Sequence, residues 1–321
     1  MNGIFFCPYF GKLPRHFQLW LNSCSYNPNF TFYIFTDDMS EYLIPQNVKI
    51  INCSFDDMRK HIQSRFDFPI QLEKPYKLCD YKPAYGYIFK DLLQGYDYWG
   101  YCDLDLIFGN LMKFMPEKTY DKISHLSHVC LLRNNQALIN AFMKTKSKIT
   151  YKDIFSSNVH FAFDEVGSYG INKIFRENGF TIYPLELYCA DVNCLHNNML
   201  IYKKDPSGEK RKKLIVNRDH LIFSFDKGNV VGWNIEKGQM VQKEYAYVHF
   251  QKRRMSLNCD AGNTFIICPH SFEQFQIIDN DVVKRYQVSR IYLEPLKIKR
   301  DSINRAITRM IAERKIIKSK Q

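Results

Sequence analysis

A chain of 321 residues, 45% hydrophobic and 24% charged, carries enough apolar side chain to fold as one large domain or two small ones, which excludes a disordered protein. Fourteen Gly and twelve Pro exclude collagen-like and low-complexity sequence, and no run reaches the roughly 18 apolar residues of a membrane-spanning helix. The 45 Lys and Arg exceed the 33 Asp and Glu by 12, an excess that calls for an anionic partner. Nine of those cations, against two acids, lie between Leu296 and Gln321, so the body is only mildly basic and nucleic acid is not the expected partner. None of the ten cysteines forms a Cys-x-x-Cys pair, which leaves a zinc ribbon or dithiol motif unsupported. Met1 is followed by no basic segment or cleavage site, so a cytoplasmic location with reduced cysteines is expected.

In chain order, Gly3–Cys7 reads as a short apolar strand, followed by a turn through Pro8 to Pro14. A helix through Phe17–Leu21 ends near Asn27-Pro28. Phe30–Phe35 and Val48–Asn52 read as further strands, the first running into Thr36-Asp37-Asp38. Lys74–Gly86 is expected to open a helix reaching about Leu93, and Tyr98–Cys102 is an aromatic strand. Residues 110–150 are expected to be helical, with a strand near Val129–Leu132, and Phe161–Gly179 to form a helix opened by Asp164-Glu165. Lys203–Lys213 reads as an exposed hairpin or loop, and Tyr245–Phe250 as a strand containing His249. Strands alternating with helices predict an α/β fold with a parallel sheet, whose ligands bind beyond the carboxyl ends of the strands.

Asp103-Leu104-Asp105 carries the sharpest chemistry. Two carboxylates between the apolar runs Tyr98–Cys102 and Leu106–Phe108 are costly without a counter-ion, and hard divalent cations take carboxylate oxygens. His249 ends a strand and is followed by Lys252, Arg253 and Arg254, a combination suited to one more metal ligand and a phosphate partner. Lys77, Asp80 and Ala84 fall at helical spacing, with Lys82 beside them. Asp164 and Glu165 are either helix-dipole partners or acids that remove or orient a hydroxyl proton.

These patterns resemble GT-A-fold, DxD-containing glycosyltransferases, which use a nucleotide-sugar donor and Mn²⁺ or Mg²⁺. The blocks PYFGK, FTDD, YKLCDYKPAYG, YWGYCDLDLIFGNL, FDEVG and YVHFQKRRM resemble more specifically a bacterial family found among capsule and surface-polysaccharide genes. The resemblance implies a Rossmann-like, mostly parallel sheet flanked by helices. It implies a transferase domain over residues 1–270 and a helical extension over 271–321. Asp103, Asp105 and His249 would hold the metal, and Lys252 the donor diphosphate. Tyr9 and Asp37 or Asp38 would lie by the nucleoside, Asp80 and Lys82 by the ribose or sugar, and Asp164 or Glu165 by the acceptor or transferred sugar. The donor would be a nucleotide sugar, UDP-linked by preference, and the acceptor a glycan or lipid-linked oligosaccharide. The run Gln251-Lys252-Arg253-Arg254 lacks the Gly and Pro-Trp usual in the glycogenin-like relatives, so Arg253 or Arg254 is an alternative phosphate ligand. The His-x-x-Lys likeness leans towards retention, while Asp164 or Glu165 could serve an inverting base. Rival readings are a metal-dependent nucleotidyltransferase or phosphosugar enzyme, and a non-catalytic anion- or membrane-binding protein.

Ile303, Ile307, Met310 and Ile311 share one helical face, with Arg305, Arg309, Arg314 and Lys315 largely elsewhere. Two outcomes are open for this basic amphipathic helix: attachment of residues 296–321 to an anionic inner-membrane surface, or packing on the domain with a solvated basic face.

Overall fold

The computed structural model describes residues 1–165, 168–203, 214–215, 220–287 and 294–321. The chain opens with β1 (Gly3–Pro8), α1 (Phe17–Ser25), β2 (Phe30–Thr36), β3 (Val48–Asn52) and α2 (Phe55–Gln63). A capping box starts α2, with Ser54 and Asp57 satisfying each other's backbone amides. Then come α3 (Tyr85–Ile88), β4 (Tyr98–Cys102), β5 (Leu106–Phe108), β6 (Lys122–Ile123), β7 (Val129–Arg133), α4 (Gln136–Ile139) and α5 (Tyr151–Phe155). α6 (Ile171–Glu177), β8 (Ile182–Tyr183) and β9 (Cys189–Asp191) follow.

The central sheet has the order β3-β2-β1-β4-β7-β6-β8. Its first four strands are parallel, and β7 runs against both of its neighbours. The Rossmann-like α/β class expected from the sequence is therefore the one observed. Buried on both faces, β1 and β4 read as near-continuous apolar runs. Phe6, Trp99 and Tyr101 belong to the core on one side of the sheet, and Phe5, Tyr98 and Cys102 to the core on the other. The chain adds β2 and β3 on one side of β1 and β4 on the other, so strand order reverses there. The crevice beyond the carboxyl ends of β1 and β4 is where such a sheet binds ligands.

The second half contains β10 (Tyr202–Lys203) paired antiparallel with β11 (Leu214–Ile215), β12 (Leu221–Asp226), β13 (Asn229–Glu236), β14 (Gln239–Tyr245) and β15 (Tyr247–His249). β16 (Ser256–Asn258), β17 (Thr264–Ile267), β18 (Ser271–Gln274), α7 (Asn280–Arg285) and α8 (Glu294–Ser319) complete the chain. A six-stranded sheet has the order β14-β13-β12-β17-β18-β16. The expected break at 270/271 falls inside this sheet, because β18 is hydrogen-bonded to β17 and β16. A small sheet, β5-β15-β9, joins the two larger ones.

Three expected elements differ. Residues 75–84 are 3₁₀ rather than α-helical, with Pro83 inside, and only Tyr85–Ile88 is α-helix. Between 110 and 150 the chain forms short turns around β6 and β7, not a long helix. The helix expected from Phe161 begins only at Ile171, because the Phe161 and Phe163 amides donate to the Asp80 carboxylate, at 2.8 and 3.0 Å. Ala162 between them takes a left-handed φ of 53°. Of the expected 203–213 loop, Lys203 lies in β10, and 204–213 lie outside the described residues.

α8 docks beside the seven-stranded sheet. Ala312, Ile316 and Ile317 pack on its core, Tyr169 donates to Glu313, and Lys320 reaches Asp153 at 2.6 Å. The apolar face read from the sequence is not the one used for docking: Ile303, Ile307, Met310 and Ile311 face solvent. No helix among the described residues is long and apolar enough to cross a membrane.

Candidate functional site

A cleft of about 880 Å³ opens at the point where strand order reverses. Tyr9, just past β1, and Cys102–Asp105, at the end of β4, line it. Two registers converge on the acids. β4 pairs Cys102 with Val129, and the Asp103 amide donates to the His128 carbonyl at 2.9 Å. β15 pairs His249 with Leu106 on one side and with Asp191 on the other, and the Phe250 amide donates to the Asp105 carbonyl. The joining sheet thus sets His249 between two carboxylates that are remote along the chain.

His249 Nδ1 donates to Asp191 Oδ1 at 2.9 Å, and its Nε2 stands 3.3 Å from Asp105 Oδ1. Ligand atoms of Asp103, Asp105 and His249 all lie within 4.8 Å of one another. The donor set fits a divalent cation: two half-exposed carboxylates, and an imidazole whose Nδ1 is fixed by a carboxylate so that Nε2 points at the acids. Burial disfavours the charged ring of His249, but Asp105 and Asp191 outweigh it and its pKa is pushed up to about 10. Asp191 is held below the usual carboxylate range: burial opposes this, and the bond from His249 and the charge of His128 prevail. His128 is buried and stacked on His249 at 4.0 Å, and burial, then the His249 charge, lowers its pKa to about 3.

Lys82 connects this group to the opposite wall. Its Nζ is 2.6 Å from Asp103 Oδ1 and 3.8 Å from Asp164 Oδ2. Burial works against its charge, yet the surrounding acids raise its pKa. Asp164 is buried, and desolvation pushes it up to about 8 although Lys82 is near, which favours its protonated form. Glu165 accepts from the Ser127 hydroxyl at 3.0 Å.

Tyr9, Lys82, Asp103, Asp105, Asp164, Glu165, His249, Lys252 and Arg253 all line the cleft; Asp37, Asp38 and Asp80 do not. Asp37 and Asp38 hold the turn after β1 instead, accepting from the Gly11 and Leu13 amides at 2.7 and 2.8 Å. Asp80 is fully buried against Lys77 at 2.8 Å and holds the 161–163 loop. Arg253 reaches the cleft wall, but its guanidinium donates to the carbonyls of Asn193, His196, Asn197, Asn198 and Pro269. That shell of carbonyls staples a loop and repels an anion. Asp164 and Glu165 sit in a turn, not at a helix start.

Sequence reasoning missed Asp191, His128, Tyr76, Arg305 and Arg309. Asp191 ends the apolar strand β9 much as Asp103 follows β4, a usable signal. The arginines come from α8, which roofs the cleft with Ile298, Ser302, Arg305, Ala306 and Arg309. The Tyr76 ring has Lys252 Nζ 5.2 Å and Arg305 Cζ 5.5 Å from its centroid, which fixes two cations at the cleft mouth. Burial, then Arg305, lowers the pKa of Lys252.

No curated protein matches the chain. Among solved structures, the apo-form glycosyltransferase GlyE of Streptococcus pneumoniae TIGR4 is similar at 15% identity and a TM-score of 0.33. The match covers 59% of this chain and 46% of that one, so this chain spans less than half of its length. The sequence match extends instead across both large sheets: residues 5–276 fit the family described as a family of unknown function (DUF6625), to which this chain belongs.

Proposed function

We propose that the cleft is the active site of a metal-dependent glycosyltransferase that takes a nucleotide sugar, UDP-linked by preference, as donor. The observation that carries this reading is the convergence of Asp103, Asp105 and His249 at the floor of a cleft whose mouth is lined by Lys252, Arg305 and Arg309. Acids able to hold a divalent cation and cations able to hold phosphate oxygens are the two halves of a diphosphate site.

Asp103, Asp105 and the Nε2 of His249 would hold Mn²⁺ or Mg²⁺, with Asp191 keeping the ring oriented. When bound, the ion would supply charge stabilisation to the leaving diphosphate. Lys252, Arg305 and Arg309 bind and neutralise the same diphosphate from the mouth. Tyr9 lines the side on which the nucleoside lies. Lys82 pairs with Asp103 at 2.6 Å and orients its carboxylate. Protonated Asp164 donates a hydrogen bond to the sugar or acceptor, and Glu165 orients the acceptor hydroxyl. Retention at the transferred carbon is the preferred outcome, with Glu165 as the base if the reaction inverts. The acceptor is a glycan or lipid-linked oligosaccharide of capsule or lipopolysaccharide synthesis, an assignment resting on the sequence blocks alone. A cytoplasmic location, where ten free cysteines stay reduced, goes with the reading.

Nucleotide sugars incubated with the full chain and Mn²⁺ should slowly release nucleoside diphosphate. Asp105→Ala should keep its melting temperature and lose the release, on the scale of about 2.7–4 kcal/mol for one lost electrostatic group. Normal turnover by that variant, or pyrophosphate as the product, would refute the proposal.

A further inference from the structure

The outer face of α8 is a feature that the proposed reaction leaves unused. At 3.6 residues per turn, Leu296, Ile303, Ile307, Met310 and Ile311 fall within an arc of about 100°. That arc faces away from the cleft. Leu296 is 64% exposed, and the three isoleucines 50% each. The rest of the helix surface makes the docking contacts, among them those of Arg305, Ala306, Arg309, Ala312, Ile316 and Ile317. Exposed large apolar residues at one period along 26 residues are not the scattered singletons of an ordinary surface.

The charges specify what covers them. Arg300, Lys318 and, contrary to the sequence expectation that set it on another face, Arg314 lie inside the same arc, and Lys297, Lys299 and Lys315 flank it; all six are exposed. None of the three acids of the helix, Glu294, Asp301 and Glu313, falls within the arc. Asp301 lies beyond its edge, 3.6 Å from Arg300, and Glu313 is turned inward to Tyr169. A second copy docked on this face would bring like charges together across a two-fold interface. An anionic lipid surface instead satisfies both halves of the pattern, taking the apolar row at the acyl boundary and the cations at the headgroups.

We propose that α8 is a two-faced element: its inner face roofs the cleft, and its outer face docks the protein on anionic membrane. The proposal stands on exposure and charge and does not depend on the reaction assigned to the cleft.

Sedimentation of the full chain with phosphatidylcholine vesicles, with and without phosphatidylglycerol, tests it. Binding should require the anionic lipid and weaken as salt rises. Arg300→Glu/Arg314→Glu/Lys318→Glu should weaken it by about five-fold or more per cation removed. Ile303→Asn/Ile307→Asn/Ile311→Asn should abolish it. Both variants change exposed side chains, and an unchanged melting temperature establishes that each still folds. If either fails to fold, a chain changed only by Ile307→Cys and labelled with a polarity-sensitive dye reports the same event by a blue shift on anionic vesicles beyond that of the parent chain labelled in the same way on its native cysteines. Absence of binding, equal binding to neutral vesicles, or variants that bind like the wild type would overturn the proposal. So would a dimer in sedimentation equilibrium that the isoleucine variant dissolves, which would assign the face to a second copy.

Discussion

Asp80 offers the sharpest test of how the structure reassigns residues, because the sequence pattern points to the donor sugar and the geometry points to loop architecture. Its carboxylate is fully buried. It takes the Lys77 ammonium at 2.8 Å and the amides of Phe161 and Phe163. Lys77 is saturated in turn, donating also to the Ile154 and Val159 carbonyls at 2.9 and 2.6 Å. Asp80→Asn keeps the shape and removes the charge. The stranded ammonium then sits in a site that already lowers its pKa by burial. Breaking a buried pair by removing one partner costs about 3–5 kcal/mol. Lys77→Met in the same background removes the stranded charge, so the double variant should recover about 2–3 kcal/mol of the summed loss. Urea unfolding of the four proteins gives the cycle. The loop carrying Asp164 and Glu165 relaxes with Ala162, so turnover should fall even where the protein is folded. An Asp80→Asn protein with unchanged unfolding and weakened donor binding would refute the reasoning and return Asp80 to the donor site.

Arg305→Ala should weaken binding of UDP with Mn²⁺ by roughly 10-fold or more, the scale of a charge-assisted bond at about 1.5–3 kcal/mol, while outward-facing Arg314→Ala should not. Titration calorimetry of the two variants checks this, and equal affinities would remove α8 from the site. Gly100→Ala should destabilise by on the order of 3 kcal/mol in chemical unfolding. A Cβ there would stand 1.9 Å from the Cys130 carbonyl oxygen, and β4 would have to move with the acids that follow it. Burial, then the Arg253 charge, holds His270 down at about 4. The unfolded chain, with His near 6.5, therefore binds more protons between those values, and stability falls as pH drops from about 6.5 to 4. His270→Asn should flatten that part of the pH profile of unfolding, and an unchanged slope would contradict the assignment.

How much of this was legible in the sequence follows from which forces act locally. The first strands were readable for two reasons: β1, β2 and β4 are largely buried and so must be apolar runs, whereas the mostly exposed edge strand β3 is marked by its β-branched Val48, Ile50 and Ile51, and the turns between them carry Pro and Asn. Asp103 and Asp105 stood out because two charges between such runs need a partner. The α/β class followed from the alternation alone. The helix expected at Phe161 failed for a long-range reason: a carboxylate some eighty residues earlier takes the amides that would have begun it. Asp80 and Arg253 were misread for a related reason. A charged residue beside a motif looks the same in sequence whether it faces a ligand or a ring of backbone carbonyls.

Sequence by itself determined the strand-rich α/β architecture, the acid pair, the strand-ending histidine and the amphipathic character of the last helix, since each is a pattern of neighbours along the chain. Only tertiary structure decided that His249 sits between Asp105 and Asp191, because that depends on the register of three strands drawn from distant segments. It alone decided which face of α8 is covered. Periodicity defines two faces of a helix, but which one meets the domain depends on the shape and charge it finds there: here a cleft rich in acids that takes Arg305 and Arg309 and leaves the isoleucines outside.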